Sequence, residues 1–153
     1  MSLKKDNQKK IDKVYMELAL NLARVAALHN VKTCVVGLDI QGDITTALGF
    51  ENDIEDSEDL RSILDRLNNT KGLADLFNGQ TRLGDVIQPT DLDKLFLIPE
   101  TPELVAMNDS LGNIHRREFW IKEKIVDKLK KDFDLIIMDC SPNWNQLTTN
   151  ALV

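Results

Sequence analysis

The spacing of apolar and polar residues divides the chain into helices and strands. Residues 13–29 are rich in alanine and leucine and repeat apolar side chains at helical spacing. This pattern predicts a helix with a wide buried stripe. The stripe consists of Val14, Leu18, Leu22 and Val25, with Ala19, Ala23 and Ala26 beside it. Residues 33–39, 94–99 and 133–139 are short and almost entirely apolar, which is typical of strands buried on both faces of a parallel sheet.

Shorter helical patterns lie between and after these strands. They occupy residues 58–67, 72–77, 83–87 and 116–131, and a further helix begins in residues 145–153. Ser57 is a predicted N-cap for the first of them, after an acidic surface loop at 52–59, and Thr101 is predicted to cap a further short helix through Met107. Strands that alternate with helices predict an α/β fold with a parallel sheet and right-handed crossovers.

Composition narrows the class of protein. The chain has 153 residues, of which 42% are hydrophobic, so one globular domain is expected. It has no apolar run long enough to span a membrane, and its lysine-rich start has no apolar stretch behind it as a secretory signal would. Two separate cysteines, Cys34 and Cys140, predict reduced buried thiols in a cytoplasmic protein. The net charge of -6 argues against a general nucleic-acid binder and predicts weak or absent DNA binding.

Two of the predicted strands end on an aspartate, Asp39 and Asp139. Ligands of open parallel sheets bind beyond the carboxyl ends of the strands. A carboxylate there can hold a magnesium-bound water or orient an attacking water, as phosphoryl transfer requires. Each aspartate alone is equally consistent with a simple turn residue. The occurrence of both at the ends of apolar strands favours a site.

Three motifs in order resemble those of the ParA/Soj-type partition ATPases. Residues 38–49 (LDIQGDITTALG) resemble the family segment D-x-D-P-Q-G-N-x-T-x-x-L-G. Residues 133–142 (FDLIIMDCSP) resemble its Walker B region, Y-D-x-I-I-x-D-x-x-P, and residues 147–152 (LTTNAL) resemble L-T-x-N-A-L. The resemblance runs over residues 17–153, and ordered motifs with matching internal spacing are a specific signal.

The resemblance implies a P-loop NTPase fold of the ParA/MinD type, an α/β parallel sheet flanked by helices, that binds ATP/ADP and Mg²⁺. It implies that Asp39 orients the hydrolytic water and that Asp139 acts on magnesium through its water shell. Thr45 matches a threonine near the metal and the γ-phosphate, and Gln41 and Gly42 shape the same nucleotide-binding loop. Family members dimerise around ATP and act with a ParB-like adaptor protein, and complete members bind DNA nonspecifically. No membrane role is implied.

The phosphate-binding motif of this family, K-G-G-V-G-K-T after an apolar strand, is missing. Alignment on N-L-A places Tyr15 at the phosphate-binding lysine and Met16 at the hydroxyl that binds magnesium, and no glycine precedes Gly37. Without glycine the backbone does not readily form a phosphate nest. Gly37 itself replaces the first aspartate of D-x-D.

These observations predict a single, partial ParA-like domain over residues 1–153, with a polar arm at 1–12 and an α/β body at 13–153. One hypothesis is an ATPase for plasmid or chromosome partition, impaired in this chain. The alternative is a non-catalytic ParA-like interaction or dimerisation module. An unrelated flavodoxin-like or response-regulator fold would share the strand-end aspartates but does not predict LDIQGDITTALG.

Overall fold

The computed structural model of the chain describes residues 2–40, 44–48 and 70–153. The predicted acidic loop at 52–59 and helix at 58–67 lie outside these residues. The first half of the described chain contains α1 (Ser2–Leu28), β1 (Thr33–Gly37), α2 (Ile44–Ala47), α3 (Leu73–Phe77), α4 (Leu83–Val86) and β2 (Gln88–Pro89). The second half contains β3 (Leu95–Ile98), α5 (Leu104–Leu111), a 3₁₀ turn (Arg117–Phe119), a π-helical segment (Lys122–Val126), α6 (Asp127–Leu129), β4 (Leu135–Asp139) and α7 (Gln146–Ala151).

The four strands form one sheet in the order β2-β3-β1-β4. Strand β1 pairs in parallel with β3 on one side and with β4 on the other. The two-residue strand β2 pairs antiparallel with β3 and makes the sheet mixed. The predicted α/β fold, a parallel sheet flanked by helices, is confirmed, with β2 as an added edge.

Helices cover both faces of the sheet, and alternate residues of β1 point into two separate cores. Cys34 and Val36 lie in the larger core, which is built mainly with α3, α5, α7 and the helical segments before β4. Val35 lies in the smaller core with Leu20, Ala23 and Ala27 of α1. All five residues of β1 are buried, as predicted. Successive side chains of a strand point to opposite faces of the sheet, and helices cover both faces here.

Helix α1 differs from its prediction in both extent and orientation. It begins at Ser2, so the residues predicted as a polar arm continue the helix. The predicted buried row is wrong, because Leu18 and Leu22 are 63% and 54% exposed, and Val14 and Val25 are similarly exposed. The buried face consists of Leu20, Ala23 and Ala27, of which only Ala23 belongs to the predicted stripe. The two alanines let the helix approach the sheet closely, and Leu20 fills the space beside them.

Two further helix predictions need correction. Thr101 is not a helix cap: α5 begins after Glu103, whose side chain makes no capping hydrogen bond, and Thr101 Oγ1 is buried without a partner among the described residues. The helix predicted at 116–131 is present without a gap over residues 117–129, but it starts as a 3₁₀ turn and contains a central π-helical segment. Arg116 has a φ of 59°, and this left-handed conformation ends any helix at that point.

Strand β4 forms the edge of the sheet next to β1. All five of its residues are only half-buried, although the first four are apolar. Within the described part of the chain, β4 pairs with β1 alone. Among the described helices, none is both long and apolar enough to cross a lipid bilayer.

Candidate functional site

The register of the sheet brings the two predicted aspartates to one edge. Gly37, the last residue of β1, lies opposite Asp139, the last residue of β4. The pairing extends one step further, because the Leu38 N–H donates to the Asp139 carbonyl over 2.8 Å. Asp39 follows directly, so both aspartates lie beyond the carboxyl ends of adjacent parallel strands, where α/β proteins bind ligands.

The electrostatics of this edge favour a positive ligand. Burial, together with the charges of Asp39 and Glu100, raises the pKa of Asp139 from its ordinary value of 3.8 to about 6. Carboxylates that perturb one another in a partly buried position are typical of functional sites. A bound cation would relieve both the repulsion and the loss of solvation.

Glu100 is a third carboxylate at this edge that the sequence motifs do not identify. It follows β3 by two residues and accepts a hydrogen bond from the Thr45 N–H at Oε1 over 2.9 Å. Burial raises the pKa of its carboxyl, and donors on Thr45 oppose that rise. No local sequence pattern identifies Glu100, because its role depends on contacts with residues distant in the sequence.

Thr45 lies in the first turn of helix α2. Its Oγ1 and Glu100 Oε2 are buried and make no hydrogen bond of good geometry among the described residues, although the Thr45 hydroxyl lies near enough to the Glu100 carboxyl to lower its pKa. The other end of α2 is fixed by Arg24 of α1, which donates to the Ala47 carbonyl over 3.0 Å. The two further predicted loop residues, Gln41 and Gly42, lie outside the described residues.

These side chains fit a hydrated magnesium ion. Mg²⁺ keeps several waters and needs only one or two protein carboxylates, with further polar groups contacting its water shell. Asp139 supplies a half-buried carboxylate, and Thr45 Oγ1 and Glu100 Oε2 are buried polar atoms that still need partners. Within the described chain, no three acidic, histidine or cysteine side chains are grouped closely enough to ligate a metal together. A water-mediated ion on Asp139 is consistent with both observations.

The residues that would bind the phosphates of ATP do not fit. Tyr15 and Met16 lie inside the unbroken helix α1, at the positions where the family has its lysine and hydroxyl. Backbone N–H groups within a helix are bonded to carbonyls one turn earlier and are unavailable to a phosphate. The Tyr15 side chain is 63% exposed and carries no positive charge. The described chain therefore brings carboxylates together at the sheet edge, whereas the helical backbone at Tyr15 and Met16 does not fit a phosphate-binding loop.

Other residues near this edge serve packing and structure. Burial raises the pKa of the Cys140 thiol to about 11 and that of Cys34 to about 12, so neither is a ready nucleophile. In the LTTNAL motif, the buried Asn150 accepts a hydrogen bond from the Ile121 N–H over 3.0 Å. This bond fixes α7, the helix that follows Asp139 in the chain, against the helical segments before β4.

Comparisons with known proteins identify relatives of the chain. A family profile described as an AAA domain matches residues 16–153. The chain is similar to the chromosome-partitioning ATPase Soj of Treponema pallidum, with 30% identity over 88% of this chain and 46% of the relative. It is equally similar to the chromosome partitioning protein ParA of Myxococcus xanthus, with 30% identity over 88% of this chain and 42% of the relative. The chain thus spans about half the length of the curated relatives it matches.

Solved structures share the fold. Cobyrinic acid a,c-diamide synthase from Mycobacterium smegmatis with bound ADP and magnesium is 26% identical, with a TM-score of 0.66 over 86% of this chain and 48% of that one. A plasmid partition protein from Borrelia burgdorferi has a TM-score of 0.69 at 20% identity, over 90% of this chain and 54% of that one. The family profile together with the two sequence relatives shows that the chain belongs to the ParA/Soj-type partition ATPase family.

Proposed function

We propose that the chain is a ParA-like ATPase domain for plasmid or chromosome partition whose nucleotide turnover is impaired. The observation that carries the proposal is the contrast within one site. Asp39 and Asp139 lie at adjacent strand ends beside Glu100, whereas a helix occupies the place of the phosphate loop. The first feature supports the family's chemistry, and the second opposes tight nucleotide binding.

In this proposal each residue has a limited role. Magnesium, when bound, would supply the positive charge that neutralises phosphate oxygens. Asp139 would hold the ion through its water shell, and Thr45 would contact the same shell with its unpartnered hydroxyl. Asp39 would orient a water toward the phosphate. Gln41 and Gly42 would shape the loop around them.

The proposed setting follows the family. We infer a cytoplasmic protein that dimerises around ATP, with a ParB-like adaptor as partner and nonspecific DNA bound only by a complete family member. The relatives are named for chromosome or plasmid partition, which supports this setting. Each of these partners and activities remains a proposal for the present chain.

Turnover tests the proposal directly. Phosphate release from Mg-ATP is measured for the wild-type chain, Asp39→Ala and Asp139→Ala. We expect all three to match a protein-free blank, because no cradle holds the phosphates. Wild-type turnover that both substitutions abolish would contradict the impairment and support the roles of the aspartates. Turnover that neither substitution changes would contradict the proposed site as well.

A non-catalytic interaction or dimerisation module is the second candidate, and the exposed face of α1 favours it. Tyr15, Leu18, Leu22 and Val25 are all more than half exposed. Their spacing of three and four residues is that of a helix-pairing seam. Sedimentation analysis of the wild type, Leu18→Glu and the control Asn21→Glu tests this candidate. Association that Leu18→Glu alone abolishes would support the module, and a monomer at all concentrations would count against dimerisation.

A further inference from the structure

The carboxyl group of Glu100 occupies the space that a side chain at position 37 would need. A Cβ atom built on Gly37 would overlap Glu100 Oε2 and would lie 3.0 Å from the Glu100 backbone nitrogen. A side chain at position 37 would therefore require the Glu100 carboxyl group to move from its observed place, while the backbone nitrogen at 3.0 Å leaves little further room. The absence of a side chain on β1 and the presence of a carboxyl group at the end of β3 are therefore linked.

The same carboxyl group binds the segment that carries Thr45. Its Oε1 accepts the Thr45 N–H over 2.9 Å, between residues 55 positions apart in sequence. The first backbone N–H groups of a helix have no partner within that helix, and Thr45 lies in the first turn of α2. Glu100 satisfies one of these donors with a charged acceptor, which makes a stronger bond than a neutral one.

We propose that Glu100 is a positioning residue that holds the Thr45 segment against the carboxyl edge of the sheet, and that Gly37 is required to make room for it. The family motif places a carboxylate on β1 at position 37, and this chain supplies one from the end of β3. Through this contact Glu100 fixes the backbone that presents the Thr45 hydroxyl. The effect of this contact on a bound cation rests on the proposed function, whereas the placement of the Thr45 segment by Glu100 does not.

Hydrogen exchange of the Thr45 amide, followed by NMR without nucleotide or metal, tests the placement. Glu100→Ala removes the acceptor, and we expect the Thr45 amide to exchange at least about tenfold faster, as loss of a hydrogen bond to a charged acceptor implies. Glu100→Gln retains an oxygen acceptor of the same reach and is expected to preserve most of the protection. Glu103→Ala removes an exposed carboxylate that makes no capping bond and should leave the Thr45 amide unchanged.

Substitution of Gly37 tests the link between the two positions. Gly37→Ala changes neither Thr45 nor Glu100, but it introduces a methyl group that overlaps the Glu100 carboxyl group. We therefore expect the Thr45 amide to lose protection as it does in Glu100→Ala. Added to Glu100→Ala, Gly37→Ala should cause little further loss. Gly84→Ala is the matched control, since a methyl group there meets no atom within 4 Å. Sheet amides such as those of Val35 and Leu97 report whether each variant is folded.

The outcomes separate this inference from the proposed function. Unchanged Thr45 exchange in folded Glu100→Ala would overturn it, and so would unchanged exchange in folded Gly37→Ala. If Gly37→Ala does not fold, the comparison of Glu100→Ala with Glu100→Gln decides, and equal exchange in those two variants would overturn the inference. Because no nucleotide or metal is present, failure to bind Mg²⁺ or ATP elsewhere leaves this result unaffected.

Discussion

The carboxyl edge of the sheet and helix α1 are the two regions to which the proposed function assigns the cation and the phosphates of ATP, and they differ in how well their residues fit those roles. At the sheet edge, strand register alone brings Asp39 and Asp139 together, and Glu100 joins them from β3. In α1, by contrast, an unbroken helix runs through Tyr15 and Met16, where the family has its phosphate loop. The charge arrangement at the sheet edge and the backbone conformation of α1 are thus set independently of each other.

The physical reason for the difference is local. The strand ends need only apolar runs that pair in the right register, and these remain in the sequence. A phosphate nest needs glycine conformations, and the chain has no glycine before Gly37. Without glycine, the alanine- and leucine-rich sequence continues as the helix for which it has a high propensity.

The largest effect we predict distinguishes the two faces of α1. Leu20→Ala, at a side chain that is 4% exposed, should lower the free energy of unfolding by about 2–4 kcal/mol through lost burial and a cavity. Leu22→Ala, at a side chain that is 54% exposed, should change it by less than about 0.5 kcal/mol. Urea unfolding at two protein concentrations measures both. Equal losses would mean that the outer face of α1 is covered in solution.

A smaller effect is expected from Asp139→Asn at the sheet edge. The pKa of Asp139 is raised to about 6 in the folded chain, so the folded state binds this proton more tightly than the unfolded state. The stability that protonation contributes is present at low pH and is lost as the pH rises through about 6. The asparagine variant should therefore be more stable at pH 7 by about 1–2 kcal/mol, after solvent screening at this half-exposed position.

The pH series supplies the check on that prediction. The advantage of Asp139→Asn should shrink toward zero near the ordinary pKa of 3.8. Asp91→Asn, at an exposed aspartate before β3, serves as the control and should not reproduce the pH-dependent gain. A variant that is less stable than the wild type at pH 7 would contradict the assigned environment of Asp139.

The smallest predicted effect is stabilisation by magnesium alone. A divalent ion that offsets the repulsion among the three carboxylates should stabilise the wild type by about 0.5–1 kcal/mol at ~10 mM Mg²⁺, as expected for millimolar affinity. Thermal unfolding with and without the ion measures the effect, and Asp139→Asn should abolish it. Stabilisation of equal size in that variant would place the cation elsewhere.

The sequence predicts the sheet better than it predicts the helices around it. The three parallel strands and the meeting of Asp39 with Asp139 follow from apolar runs and motif spacing, because parallel strand ends converge at one edge. The buried face of α1 could not be read correctly, since alanines and leucines repeat on both sides of the helix and the tight approach to the sheet selects Leu20, Ala23 and Ala27. Glu100 was missed because its role depends on a contact across two strands that no local pattern records.

The central claim is that this chain retains a cation-binding edge without a phosphate cradle, and calorimetric titration with Mg-ATP tests it most directly. We predict no binding heat in the submillimolar range, with or without Mg²⁺, because the backbone N–H groups at Tyr15 and Met16 are bonded within α1 and position 15 carries no lysine. Submillimolar, magnesium-dependent binding that Asp139→Ala abolishes would contradict the claim and would require a phosphate-binding group outside α1.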